Sequence, residues 1–372
     1  MVKFKKLFHK RHKACTDLVE VKAQRSNNNR MKKTLLHIAV LSWWHLPFSR
    51  RSKERVKTFI FSLFPFLFKN SKTYQNWKYT KSLSRPDYSF SPSDFPEHLP
   101  VKKVDVERYK KPEAAHSGEK PGIKSLAVVV HVFYVELFEE LLDYLRKLPV
   151  DNCKLFISTS DEIKPAVERL VADSSFNYHI EAFENRGRDI LPFLRLAPKA
   201  IREGFDVILK LHTKKSDHRL TGELWRKELY GKLLNPDSVR NISTVLQQCP
   251  QVGLFGAAGH IVPMSLYYGG NARLIGYFSY CLGVEPRELK NLFFIAGSMF
   301  YIRAGALQPL LDIGIKNEMF EEEKGQQDGT LAHAVERAFA LSNYAAGYIL
   351  ADTGCTPQNL KHTITDDHPF TW

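Results

Sequence analysis

From Ile123 onward the chain alternates short, unbroken apolar runs with stretches whose apolar residues recur every three or four positions, and few architectures accept that pattern. "SLAVVVHVF" is rich in β-branched residues and lacks a polar residue at every second position, as expected of a strand covered on both faces of a parallel sheet. "YVELFEELLDYLRKLP" then reads as an amphipathic helix. The alternation continues through strand "CKLFIST", helix "EIKPAVERLVAD", strand "NYHIEAFE", helix "DILPFLRLAPKAIREG" and strand "DVILKLHT". This predicts an α/β fold, a Rossmann-type open, mostly parallel sheet flanked by helices and joined by right-handed crossovers. Sites in such sheets gather at the carboxyl ends of the strands. Farther along, "SVRNISTVLQQCP" reads as a helix and "QVGLFGAAG" as a strand. "FFIAGSMFYIRAGALQPLLD" reads as strand, glycine turn, strand and helix, "QQDGTLAHAVERAFALSN" opens a last helix, and "AAGYILADT" closes as a strand.

The 372 residues carry a formal net charge of +14, but it is unevenly placed. Residues 1–120 hold 27 Lys/Arg against 10 Asp/Glu, whereas the remainder holds 27 against 30. The charge therefore belongs to a front extension and not to the sheet domain. Four zones follow: a basic, aromatic extension over 1–82, a linker rich in Pro, Ser and charge over 83–122, the sheet domain over 123–353, and a tail over 354–372. Five scattered cysteines with no C-x-x-C spacing suggest neither a disulfide framework nor a zinc site, which fits a reducing cytoplasm. The opening "MVKFKKLFHKRHK" has the cations of a leader, but polar residues follow where its apolar core would be needed. The apolar stretches "LLHIAVLSWWHLPF" and "TFIFSLFPFLF" fall short of the roughly 20 residues that a crossing helix needs.

Three places at the carboxyl edge carry candidate chemistry. In "ENRGRDILPF", Gly187 permits a tight turn and the helix beginning near Asp189 presents free N–H groups. Arg186 and Arg188 could grip phosphate or stack on a base, and Asp189 could accept from a ribose hydroxyl or cap the helix; the bland alternative is an Arg–Asp pair that only fixes the turn. In "LKLHTKKS", Lys210, His212, Lys214 and Lys215 would suit a diphosphate, the alternative being a solvated loop. In "GQQDGTLAHAVERAF", Asp328 falls near a helix N-cap, with His333, Glu336 and Arg337 on the turns that follow. A carboxylate there could act as general base on a sugar hydroxyl, or simply cap. Gly297 and Ser298 of "IAGSMFYIR" offer backbone and small side chains beside the same edge, or relief of packing.

These pieces occur in an order that resembles a known family. Over residues 125–353 the motifs "VVVHVFY", "ENRGRDILPFL", "ILKLHTKKS", "IAGSMFYIRAGAL" and "DGTLAHAVERAF" are similar to the rhamnan synthesis protein F family, which looks like a branch of the GT-A-fold glycosyltransferases. The resemblance implies transfer of a sugar, often L-rhamnose, from a nucleotide-sugar to a bacterial cell-surface polysaccharide or lipopolysaccharide chain. It implies a nucleotide near His131 to Tyr134 and near Asn185 and Gly187. It also implies Asp328 as the base, with His333 and Glu336 on the acceptor side together with Gly297 and Ser298. Most of the wider group places an acidic D-x-D after the fourth strand, holding Mg²⁺ or Mn²⁺ against the diphosphate. Here that place reads "LHTKK", and Lys offers a hard cation no ligand. The expectation is an enzyme without a required metal, in which Lys214, Lys215 and His212 neutralise the leaving diphosphate, with Mg or Mn left open.

In the extension, "RRSKERVKTFIFSLFPFLFKNSKTYQNWKYTK" sets aromatic and aliphatic residues between cations. It could lie on an anionic membrane surface, which suits a lipid-linked glycan acceptor and a peripheral place at the inner face of the cytoplasmic membrane. It could instead pack on the sheet domain. Nucleic acid is not expected as a partner, because the cations mix with long apolar runs and not with a recognition motif.

Overall fold

The computed structural model describes residues 48–109, 123, 125–213, 222–326 and 328–368. Contacts divide the chain at Ser52, and the architecture below concerns Lys53 onward. Its strands are β1 (Ser125–His131), β2 (Asn152–Thr159), β3 (Asn177–Ala182), β4 (Val207–His212), β5 (Val252–Gly256), β6 (Ile261–Pro263), β7 (Phe293–Ile295), β8 (Phe300–Arg303) and β9 (Ile349–Asp352). Its helices are α1 (Arg50–Leu63, which begins just before the division), α2 (Pro65–Phe68), α3 (Lys72–Leu83), α4 (Val135–Leu145), α5 (Lys164–Ala172), α6 (Ile190–Arg202), α7 (Gly222–Leu233), α8 (Pro236–Gln248), α9 (Ala272–Cys281), α10 (Ala304–Asp312) and α11 (Leu331–Ala345).

The main sheet has the order β3-β2-β1-β4-β8-β5-β9, with β6 and β7 paired separately. β1 lies parallel to β2 and β4, β2 parallel to β3, and β5 parallel to β9. Only β8 is reversed, antiparallel to both β4 and β5, so the α/β, mostly parallel sheet expected from the alternation is present. The reversal has a geometric result: Lys210 pairs with Phe300, so β8 begins at the edge where β4 ends.

Burial explains why the parallel strands are so apolar. Residues 126–130 of β1 and all of β4 are buried, because helices cover both faces. Alternate residues serve opposite cores. Ala127, Val129, Phe156, Ile208 and Phe300 face α6, α9, α10 and α11, while Leu126, Val128, Val130, Leu155 and Leu209 face α4, α7 and α8.

The zone read as a linker over 83–122 packs against the domain as far as Tyr109. Phe95, Leu99 and Val104 are buried, and the Val104 amide donates to the Cys281 carbonyl at 2.8 Å. Arg108 and Tyr109 both bind Asp312 at the end of α10. The apolar residues between its prolines and charges anchor this strap. The tail also folds back: the Thr365 amide donates to Ile261, and the buried His368 lies 2.8 Å from His260 through Nε2 and Nδ1.

Candidate functional site

The turn between β3 and α6 holds two consecutive residues in left-handed conformation, Gly187 at φ 64° and Arg188 at φ 55°. Glycine is required at 187, since a Cβ would sit 2.7 Å from both Leu191 Cβ and Phe320 Cδ1. Arg188 has no such excuse, and a non-glycine residue there costs on the order of 1–2 kcal/mol. Its side chain supplies the compensation. Nε donates to Glu323 Oε2 at 3.3 Å, Nη2 donates to the Gln326 carbonyl, and Nη1 lies 3.1 Å from His333 Nε2. Arginine only donates, so His333 Nε2 accepts, and the proton on Nδ1 goes to Thr330 Oγ1 at 2.6 Å. Arg186 grips the same segment, donating from Nη1 to the Phe320 carbonyl at 2.7 Å. Both arginines therefore tie this turn to residues 320–333, the approach to α11.

Lys210 lies beneath the rim and not on it. Its side chain is 1% exposed; Nζ donates to Asp189 Oδ2 and, at 2.9 Å, to the Ser298 carbonyl, between the rings of Phe193 and Phe300. This departs from its expected place facing a diphosphate. A buried ammonium needs a fixed counter-charge, and the carboxylate that meets it is Asp189, 21 residues away. Asp189 accordingly makes no cap for α6. Burial alone would raise its carboxyl pKa, but Lys210, then His212 with Nδ1 at 3.4 Å from Oδ2, hold it far below the usual range.

Ser298 belongs to a second pair of left-handed residues, Gly297 at φ 92° and Ser298 at φ 56°. A Cβ on Gly297 would come 2.8 Å from Trp225 Cζ2. The Gly297 amide donates to Glu336 Oε1 at 3.1 Å, and Glu336 Oε2 accepts from Arg337 Nη1 at 2.9 Å. Ser298 is buried, and its Oγ has no hydrogen-bond partner among the described residues. Lys210 thus joins the two strained turns through the neighbouring Asp189 on one side and Ser298 on the other. His333 and Glu336, three apart on α11, fasten the same two turns from outside.

At the end of β1, His131 Nδ1 lies 3.0 Å from Ser158 Oγ. Burial lowers its pKa to about 4, with Asp189 opposing and Lys210 adding to the shift, so the imidazole is neutral at physiological pH. Thr213, which sequence reasoning passed over, organises the loop that follows. Its Oγ1 accepts from the Phe133 and Tyr134 amides at 2.9 and 3.0 Å, and its own amide donates to the His131 carbonyl at 2.9 Å. The Phe133 ring stands exposed, edge-on to Tyr134. The available signal was position: Thr213 is the first hydroxyl after β4, which neighbours β1.

Asn185 is exposed on the same turn as Arg186, while Lys214 and Lys215 lie outside the described residues. Asp328 is exposed, but Thr330 and not Asp328 is the N-cap of α11. The carboxylate serving that helix is Glu321, which accepts from the Leu331 amide at 2.9 Å. Asp328 reaches across instead, its Oδ2 accepting from the Gly270 amide at 2.7 Å and its Oδ1 from Asn271 Nδ2 at 2.5 Å. The flexible "DGT" spacing allows this, since Gly329 turns the chain at φ 81°. Asp328 stays in the segment between Gln326, held by Arg188, and Thr330, held by His333.

Among the described residues the donor set at this rim does not suit Mg²⁺ or Mn²⁺, since no three His, Cys, Asp or Glu side chains converge. The carboxylate beside the end of β4, Asp189, is already bound to an ammonium. The first amides of α6 are not free as expected, since Ile190 and Leu191 both donate to the Gly187 carbonyl at 3.1 Å and Pro192 has none, so an anionic group at this rim would be met by the guanidinium groups of Arg186 and Arg188.

The family described as rhamnan synthesis protein F matches residues 102–276, which contain the first three motifs quoted above and stop short of the Gly297 and Asp328 motifs. The chain is also 38% identical over 224 residues to an uncharacterized protein, WxcX, from each of two strains of Xanthomonas campestris pv. campestris, B100 and ATCC 33913. The matched stretch covers 60% of this chain and 32% of each relative, so the chain spans about a third of the length of the curated relatives it matches. Residues 102–276, which carry β1 to β5 and the strand ends that build this rim, match the rhamnan synthesis protein F family.

Proposed function

We propose that this rim is the donor site of a glycosyltransferase of GT-A type, moving L-rhamnose or another deoxyhexose from a nucleotide-sugar to a cell-surface polysaccharide or lipopolysaccharide chain. The observation that carries the reading is the coupled pair of left-handed turns, with Arg188 locked at the start of α6. Strain kept at one rim by a buried ion pair marks a preorganised site, and a guanidinium at a helix N-terminus selects an anion. Arg186 and Arg188 receive the diphosphate, with Lys214 and Lys215 directly after Thr213 in sequence. The exposed Phe133 ring offers the base a stacking surface.

The reaction is a single displacement. An acceptor hydroxyl gives its proton to Asp328, its oxygen bonds the anomeric carbon, the bond from that carbon to the diphosphate oxygen breaks, and the nucleoside diphosphate leaves with the bonding pair. One displacement inverts the anomeric centre. No step is routed through a metal.

The second reading is a nucleotide-sugar or glycan-binding component of a polysaccharide assembly complex that performs no chemistry. It is favoured by one observation: both oxygens of Asp328 and both of Glu336 already accept hydrogen bonds. A panel of nucleotide-sugars tested for thermal stabilisation and slow hydrolysis separates the two. Transfer predicts donor hydrolysis that persists in excess EDTA and disappears in Asp328→Asn with donor binding kept. Binding without hydrolysis by any donor supports the second reading, and no binding at all overturns both.

A further inference from the structure

The helices α1, α2 and α3 sort their apolar side chains onto two faces. Inward, the Phe61 ring lies 5.1 Å from Phe68, 5.3 Å from Tyr74 and 5.4 Å from Trp77, and Trp77 Nε1 donates to Thr58 Oγ1 at 3.2 Å. Tyr79 and Leu83 are buried, Tyr79 against Gly276 of α9, where a Cβ would meet its hydroxyl. This inner set holds the helices together and onto the domain. Outward, Val56, Phe59 and Leu63 form a stripe at helical spacing along α1, continued around the Pro65 corner by Phe64, Phe66 and Leu67. Phe59, Phe66 and Leu67 are 64%, 67% and 65% exposed, so they stand largely outside that packing.

Two further observations say what covers this face. Between residues 48 and 86 there are ten Lys/Arg and one acid, Glu54, which is bound to Lys57 at 2.5 Å. An apolar ridge flanked by cations well in excess of acids complements an anionic lipid surface and repels a second copy of itself. The corner also has its backbone bonded: the amides of Phe64, Leu67 and Lys69 donate to Ile60, Phe64 and Pro65 at 3.0, 3.1 and 2.9 Å. Few bare donors would be carried into a low-dielectric medium. No described helix is long and apolar enough to cross a membrane, so the contact is interfacial.

We propose that residues 63–67 insert into the head-group boundary of an anionic bilayer, with Arg55, Lys69 and Lys72 on lipid phosphates. The proposal does not depend on the sugar-transfer reading. The test floats the full chain with phosphatidylcholine vesicles, with and without phosphatidylglycerol, beside Phe66→Asp/Leu67→Asp and Lys69→Glu/Lys72→Glu. The parent is expected to float only with the anionic vesicles. The apolar pair lowers partitioning roughly 100-fold, each large side chain taken from water being worth about a factor of ten, and the charge pair lowers it at least roughly tenfold. A fluorophore on Phe66→Cys brightens and shifts to the blue with anionic vesicles, a readout that does not depend on how the aspartate variants fold. A parent that stays at the bottom of the gradient, a fluorophore that does not respond, or a parent dimer that Phe66→Asp/Leu67→Asp converts to monomer overturns the proposal.

Discussion

Replacing Lys210 by Met leaves the Asp189 carboxylate in its buried place without its ammonium partner, His212 Nδ1 being 3.4 Å away, and strips the Ser298 carbonyl of its donor. Removing one member of a buried ion pair costs about 3–5 kcal/mol. For a chain of this size each kcal/mol is worth about 1–2 °C, so the variant should melt roughly 3–10 °C below the parent. Adding Asp189→Asn removes the orphaned charge and should restore about half of the loss, a coupling that independent sites would not show. The pH dependence gives a second check. In the parent Asp189 is held far below its unfolded pKa, so its contribution is complete above about pH 4 and fades below it. In Lys210→Met the largest influence opposing burial is gone, so that pKa rises from its depressed value and the folded variant takes up a proton at a higher pH than the parent. The gap in melting temperature is therefore widest at neutral pH and narrows towards about pH 4. Circular dichroism melts across that range measure it. A variant within about 2 °C of the parent, or a gap that widens in acid, refutes the idea that Lys210 holds the two turns together.

Arg188→Gly should melt roughly 1–4 °C above Arg188→Ala, because glycine relieves the left-handed backbone, while both lose stabilisation by nucleotide-sugar; equal melts would remove the strain argument. Gly297→Ala meets both a forbidden φ and the Trp225 ring, and should cost about 2–4 kcal/mol in denaturant melts. Phe133→Ala should weaken nucleotide binding roughly tenfold by calorimetry with no change in melting temperature, since its ring is exposed. Burial lowers both His131 and His260 to about 4, so the unfolded chain takes protons that the folded one refuses. Stability should fall as pH drops from about 6.5 towards 4, by about 2 kcal/mol per histidine at about pH 5, and His260→Gln should flatten that slope.

The parallel half of the sheet was legible because strands buried on both faces leave unbroken apolar runs, as in β1 and β4. Helix α9, "ARLIGYFSYC", carried no comparable signal: it is apolar nearly all round, holds a glycine and aromatic residues, and is a helix because seven of its ten residues are packed into the core. Helix α7 was equally silent, with Arg226 buried and paired to Glu140 from α4. At the site, sequence located the charge but not its direction. Lys210 points inward because its partner arrives from another loop, and Asp328 leaves the cap to Thr330 because the fold brings Gly270 and Asn271 within its reach. Neither pairing has a signature in local spacing.

The reversed strand β8 bears on how such a protein can be retuned. Because β8 starts at the rim, residues 296–299 reach the site as a buried turn, with every position packed. Across from them, residues 321–326 and 328–329 are largely exposed. Libraries that retune this rim should therefore diversify exposed positions such as Glu322 and Lys324, and leave intact both the inner turn and the contacts of Glu321, Glu323 and Asp328.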